Sequence, residues 1–178
     1  MEKTRTATPP STAPTRTIGV ESLAGKYMTF QLAEEVYGVA ILDVREIIGL
    51  MDVTRVPRAP PFVRGVINLR GRVIPVVDLR LQFGMEPCAA TDQTVIIVVQ
   101  CAVDGRSLTM GVLVDQVLEV LNVQAGQIEP LPDLGERSLH SQFILGVGKA
   151  GQRIVFLLDI ARVLSSREAA AVADAARA

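Results

Sequence analysis

The sequence predicts a mainly β protein built from short strands, with a few short helices. Three observations carry that reading. Met28, Phe30 and Leu32 alternate with Tyr27, Thr29 and Gln31, which is the period of a half-buried strand. Apolar runs such as Val95-Ile96-Ile97-Val98-Val99 are five residues long, where a membrane helix needs about 20. Proline and glycine punctuate the runs. The segment Thr54-Arg55-Val56-Pro57-Arg58-Ala59-Pro60-Pro61 holds three prolines, which fix the backbone and remove donors.

Taken in chain order, residues 1–25 read as a flexible tail. Thr4, Thr6, Thr8, Thr12, Thr15 and Thr17 with Pro9, Pro10 and Pro14 leave too little apolar surface to offset the entropy of ordering. The alternating strand begins at Lys26, and a second, Val36 to Ile41, follows the polar Glu34-Glu35 turn. Leu42 to Ile48 fits strand or helix by periodicity alone. Val63 to Leu69 and Arg72 to Leu79 form a hairpin about Gly71. Pro75 lies within its second strand and points to an edge or a bulge. Further strands are Thr94–Val103, Ser107–Val114, Val117–Val123 and Arg153–Leu158. Helix is minor: Ile160 to Leu164, then an alanine-rich helix or tail over 167–178, opened by the capping-box pattern Ser165-Ser166-Arg167-Glu168.

The chain also resembles itself. A shift of 73 places Gly38-Val39 on Gly111-Val112, Val44 on Val117, Glu46 on Glu119 and Pro57 on Pro130. A shift of 81 places Arg72-Val73-Ile74 on Arg153-Ile154-Val155 and Val77-Asp78-Leu79 on Leu158-Asp159-Ile160. Two copies of one β unit that differ by an eight-residue insertion explain both offsets. They make pseudo-repeats of about 38–80 and 111–160 within a domain spanning 26–166. Copies of about 70 residues with short strands and Gly/Pro turns suggest two small barrels or sandwiches.

Composition removes several functions. With 18 Lys and Arg against 19 Asp and Glu, the formal net charge is -1, unlike a dedicated polyanion binder. Cys88 and Cys101 are too few for a disulfide framework and are spaced unlike a zinc site. The single histidine, His140, sits near Ser138 and Asp133, but no G-x-S-x-G elbow accompanies it, so it reads as a surface-loop residue. Gly146-Val147-Gly148-Lys149-Ala150-Gly151 matches a dinucleotide pattern. It leads into a strand and not a helix, so it reads as a glycine-rich turn. No enzyme activity, metal or cofactor is expected. The N-terminus lacks the apolar core of a signal peptide, and a cytoplasmic location is expected.

The segment from Arg45 to Arg80 holds seven arginines against Glu46, Asp52 and Asp78. Arginine favours protein interfaces, where its planar fork pairs with carboxylates. A small nucleic-acid-binding β-barrel is the alternative, although Phe62 is the segment's only aromatic residue and single-strand binding favours stacking platforms.

These residues carry a resemblance. Val44-Arg45-Glu46-Ile47-Ile48-Gly49, Val53-Thr54-Arg55-Val56-Pro57, Gly65-Val66-Ile67-Asn68-Leu69-Arg70-Gly71 and Val73-Ile74-Pro75-Val76-Val77-Asp78-Leu79-Arg80 resemble the CheW family of chemotaxis coupling proteins. Gly111-Val112-Leu113-Val114-Asp115-Gln116-Val117 and Leu157-Leu158-Asp159-Ile160 fit it too. Phe143 departs from a usual tyrosine, and Arg45 and Ile48 stand where other types are common. The resemblance implies two SH3-like five-stranded β-barrel subdomains. It also implies a non-enzymatic adaptor that joins the signalling tips of chemoreceptors to the histidine kinase CheA, recruited to receptor arrays without entering the membrane or binding nucleic acid. Val44, Glu46, Gly65 and Arg70 would face the receptor, and Val53, Thr54 and Arg55 the kinase. Valine offers apolar contact, Glu46 and Arg70 offer opposite charges, and Gly65 admits close backbone approach. The same residues also fit a purely structural role: Val44 in the core, Gly65 in a turn, and Glu46 with Arg70 as an internal ion pair.

Overall fold

The computed structural model describes residues 19–103, 105–131 and 141–165, which form two β sheets with two short helices. The strands are β1 (Gly25–Leu32), β2 (Glu35–Ala40), β3 (Val44–Gly49), β4 (Val63–Leu69), β5 (Arg72–Asp78), β6 (Val95–Val103), β7 (Arg106–Val114), β8 (Gln116–Val123), β9 (Ile128–Glu129), β10 (Ile144–Ala150) and β11 (Arg153–Leu158). Helix α1 is Leu79–Gln82 and α2 is Ile160–Ser165. The first sheet runs β8-β1-β2-β11-β10-β9 and the second β3-β6-β7-β5-β4. The first therefore has six strands, not five. Among the described residues no ladder joins β8 to β9 or β3 to β4, so two open sheets stand where closed barrels were expected.

The chain changes sheet twice, after β2 through the 3-10 turn Ile41–Asp43, and after β7 at Asp115. The segments 38–80 and 111–160 thus each give strands to both sheets. Apart from β9, the sheets correspond strand for strand. Each contains one parallel pairing, β2 with β11 and β7 with β5. The bulges recur as well. Between Val63 and Gly65 the pairing of β4 with β5 slips, and β10 slips against β11 between Ile144 and Gly146.

Three apolar clusters hold this arrangement. The largest lies between the sheets and includes Phe30, Tyr37, Val77, Ile97, Met110 and Leu158. Each sheet also curls over a cluster of its own, Tyr27, Val123, Val155 and Leu157 in the first, and Ile67, Ile74, Val76 and Ile96 in the second. Alternate residues of β6 enter two clusters, Ile97 and Val99 one, Ile96 and Val98 the other. That explains its unbroken apolar run, since a strand buried on both faces loses alternation. Tyr37 centres the inter-sheet core, with its ring 5.5–6.0 Å from those of Phe30, Phe83 and Phe156.

The second crossover is tied by charge. The Arg80 guanidinium donates to both oxygens of Asp115, which also accepts from the Ala33 amide at 2.8 Å. Burial pushes the Asp115 carboxyl up, but Arg80 and Ala33 outweigh it and hold its pKa below the ordinary aspartate value. A depressed folded pKa stabilises above the unfolded value and loses that contribution as pH falls through the folded one. Asp115→Ala is expected to cost about 1.5–3 kcal/mol at neutral pH, because it removes charged hydrogen bonds. In urea titrations the gap from wild type should shrink as pH drops below about 4, the ordinary aspartate value. A gap independent of pH would contradict this role.

Three further expectations change. The packed domain begins before residue 26: Val20–Leu23 form a 3-10 turn, Leu23 is buried, and the Tyr27 hydroxyl donates to its carbonyl at 2.6 Å. Leu23→Ala is expected to cost about 2–3 kcal/mol in a melting experiment, and an unchanged melting temperature would contradict that packing. Pro75 is not on an edge, because β5 lies between β4 and β7. The amide and carbonyl of Val66 both pair with Thr54, so Val66 and Pro75 face each other without hydrogen bonds. The missing donor points instead toward β7, whose pairing with β5 starts only at Val76. Gly146-Val147-Gly148 lies in β10 and not in a turn; the turn is at Gly151, with φ +63°. Residues 1–18, Asp133, Ser138, His140 and 167–178, with the expectations placed on them, lie outside the described residues.

Candidate functional site

The sites expected from the sequence fall on the second sheet, around two grooves, one toward each end of its strands. Glu46 and Arg70 come together at the first. Arg70 sits in the β4–β5 turn with φ +51°, and its guanidinium donates to both Glu46 oxygens at 2.7 Å. Because β6, β7 and β5 separate β3 from this turn in the strand order, the ion pair closes the mouth of the curled sheet. The Arg70 side chain is 73% exposed and that of Glu46 27%. The hydrogen bonds from Arg70 hold the Glu46 carboxyl below the usual glutamate range. This groove, about 330 Å³, is also lined by Arg45, Leu69 and Arg72.

Gly65 does not join that groove. It is buried with φ +141°, and a β-carbon there would overlap the Thr54 carbonyl oxygen and lie 2.7 Å from its carbon. Thr54 and Val66 exchange backbone hydrogen bonds of 2.9 and 2.8 Å across this approach. The space that Gly65 leaves is therefore filled by the chain itself. Gly65 belongs with Val53, Thr54 and Arg55, whose segment it seats. Val53 packs on the inner cluster of the second sheet, while Thr54 and Arg55 are exposed. Val53 and Arg55 line the second groove, about 480 Å³, with Leu50, Met51 and Arg64. Val44 lies in neither groove; it is half-buried against the inter-sheet core.

Asp78 ends β5 at the side of the sheet nearer the second groove. It caps α1 by accepting from the Arg80 and Leu81 amides and lies 3.4 Å from the Arg64 guanidinium. Burial pushes its carboxyl up, against the pull of Arg64 and those amides. Of the seven arginines, Arg64, Arg70 and Arg80 are thus spent on carboxylates. Leu50 and Met51, exposed at the second groove, were not singled out from the sequence. They follow a strand and precede prolines, a setting with no periodicity to mark them. No group of three metal-ligating side chains occurs among the described residues.

Two curled sheets around a shared core, with an open groove toward each end of the strands of one of them, define a β domain distinguished by the surfaces it presents. The CheW-like domain family model matches residues 26–168. A chemotaxis protein CheW from Klebsiella aerogenes is 38% identical over 157 residues, 88% of this chain and 92% of that protein. One from Rhizobium meliloti is 37% identical over 141 residues, 79% of this chain and 88% of that protein. The crystal structure of the scaffolding protein TtCheW from Thermoanaerobacter tengcongensis superposes with a TM-score of 0.71 at 32% identity, covering 82% of this chain and 95% of that one. The chain belongs to the CheW-like domain family.

Proposed function

We propose that this protein is a non-enzymatic chemotaxis adaptor that couples chemoreceptor signalling tips to a CheA-type histidine kinase at the cytoplasmic face of receptor arrays. Family membership supports the reading, as do relatives named chemotaxis protein CheW. The observation that carries it is the pair of separate grooves on one sheet, because an adaptor must hold two partners at once. Each curled sheet with its own apolar cluster stands for one SH3-like unit. The receptor side is the Glu46–Arg70 mouth, with Val44 setting the edge strand behind it. The kinase side is the Val53-Thr54-Arg55 segment, with Gly65 as its seat.

Neither partner requires membrane insertion, and no helix among the described residues is long and apolar enough to cross a membrane. The nucleic-acid alternative is not favoured, since three arginines of the patch are paired to carboxylates within the chain. Titration of the full chain separately with a receptor cytoplasmic fragment and with a CheA-type kinase tests the reading. Saturable binding to both is expected. Binding to mixed-sequence nucleic acid in place of either protein would overturn it.

A further inference from the structure

The mouth of the second sheet carries more positive charge than the fold uses. Along β3, Val44 pairs with Val99 and Glu46 with Val98, so Arg45 is a bulge residue with no partner of its own on β6. A bulge interrupts the alternation of a strand and re-aims side chains. Arg45 and Glu46, consecutive in sequence, consequently line the same groove, together with Arg70 and Arg72. Arg70 occupies both oxygens of Glu46. Arg45 and Arg72 are exposed, and neither has a carboxylate within 4.0 Å among the described residues. Three guanidiniums and one carboxylate leave the groove with two uncompensated positive charges beside the apolar Leu69.

The first sheet is an internal control. Its edge strand β8 bulges at the corresponding place, where Val117 pairs with Phe30 and Val120 with Met28. There Glu119 meets Arg153 at 3.5 Å. The shift of 73 puts Leu118 where Arg45 stands, and the shift of 81 puts Arg153 where Arg72 stands. The bulge therefore accepts leucine, and its geometry does not call for the charge of Arg45. In the first sheet the arginine matching Arg72 is spent on the glutamate. In the second, Arg70 takes that place and leaves Arg72 free.

We propose that Arg45 and Arg72 select an acidic docking segment: an amphipathic stretch of a protein partner that lays an apolar side chain on Leu69 and sets carboxylates on the two free guanidiniums. The planar fork of arginine favours paired contacts with carboxylates, and Glu46 in the same groove disfavours a partner whose acids fall out of register. This inference rests on the receptor-facing reading of the groove and adds the chemistry of the segment that enters it.

The test uses the full chain, its Arg45→Gln/Arg72→Gln variant, and the single variant Arg45→Leu, which copies the leucine of the other sheet and so guards against a folding defect. Anisotropy titrations employ a receptor cytoplasmic fragment and two synthetic amphipathic helical peptides that differ only in Glu or Gln beside the apolar stripe. The wild type should bind the Glu peptide roughly tenfold or more tightly than the Gln peptide at low salt. Both variants should lose most of that preference while melting as the wild type does. The receptor fragment should lose affinity for the double variant, and the remaining binding should depend less on salt. A wild type that does not distinguish the peptides, variants that keep the preference, or RNA competing equally at the same salt would each overturn the proposal. Should the receptor fragment fail to bind while the peptide preference holds, the receptor reading falls and the acidic selectivity stands for another protein partner.

Discussion

Gly65→Ala is expected to destabilise the protein by about 2–4 kcal/mol, in the range that backbone strain with steric overlap produces. Two effects add. The φ of +141° lies in a region that side chains avoid, and the new methyl would meet the Thr54 carbonyl, a backbone group that cannot rotate away. Relief requires breaking the Thr54–Val66 bridge, which would move Val53, Thr54 and Arg55 together. Kinase binding should therefore weaken along with stability. Gly71→Ala is the control, since it also has positive φ, +84°, but nothing lies within 4 Å of its added β-carbon; it should cost only about 1 kcal/mol. Equal losses in the two variants, measured by urea unfolding, would show that the close approach under Thr54 does not matter.

Arg70→Glu should reduce receptor binding by roughly tenfold or more, the scale expected when like charges replace opposite ones at an interface. It sets a second carboxylate against Glu46, but the substituted side chain is 73% exposed, so melting should change little. Kinase binding, proposed for the other groove, should survive. The exchange Glu46→Arg/Arg70→Glu rebuilds an ion pair with its charges reversed. Restored receptor binding there would mean that the pair only latches β3 to the hairpin turn; continued loss is expected if, as proposed, the receptor reads the charges themselves. The milder Arg70→Gln should let the Glu46 pKa rise back toward the usual glutamate range. Because the native pKa is depressed, the latch acts above the ordinary glutamate value and is lost as pH falls through the folded one. Receptor affinity of the wild type should weaken in that acidic window, and Arg70→Gln should flatten the dependence.

Much of this architecture is legible in local pattern. Alternation along Tyr27–Leu32 marks β1, and the Asn68-Leu69-Arg70-Gly71 turn marks the β4–β5 hairpin, where Asn68 accepts from the Gly71 amide at 3.0 Å. The parallel pairings of β2 with β11 and β7 with β5 are not legible, because nothing local says which distant strand will lie alongside. β10 hides behind its glycines. Gly146 and Gly148 resemble a loop in sequence, yet both lie in the strand, and at Gly146 a neighbour presses close. A β-carbon on Gly146 would sit 3.1 Å from the Glu129 carbonyl oxygen.

The site shows the same limit. Glu46 and Arg70 are complementary by charge, and the structure joins them. In sequence Gly65 reads as room for a partner, whereas Thr54 takes that room, an arrangement set by an isolated bridge that no periodicity reveals. Arg45 looks like an ordinary solvent-facing strand residue until the bulge turns it onto the face of Glu46.

The central claim, that two separate surfaces on one sheet hold two proteins at once, is tested most directly by co-sedimentation of the full chain with a receptor cytoplasmic fragment and a CheA-type kinase in one mixture. A ternary complex is expected in which kinase pellets with receptor only when this protein is present, and in which Arg70→Glu releases receptor while still holding kinase. Kinase and receptor displacing one another from the chain would contradict it, because the two grooves would then be one site.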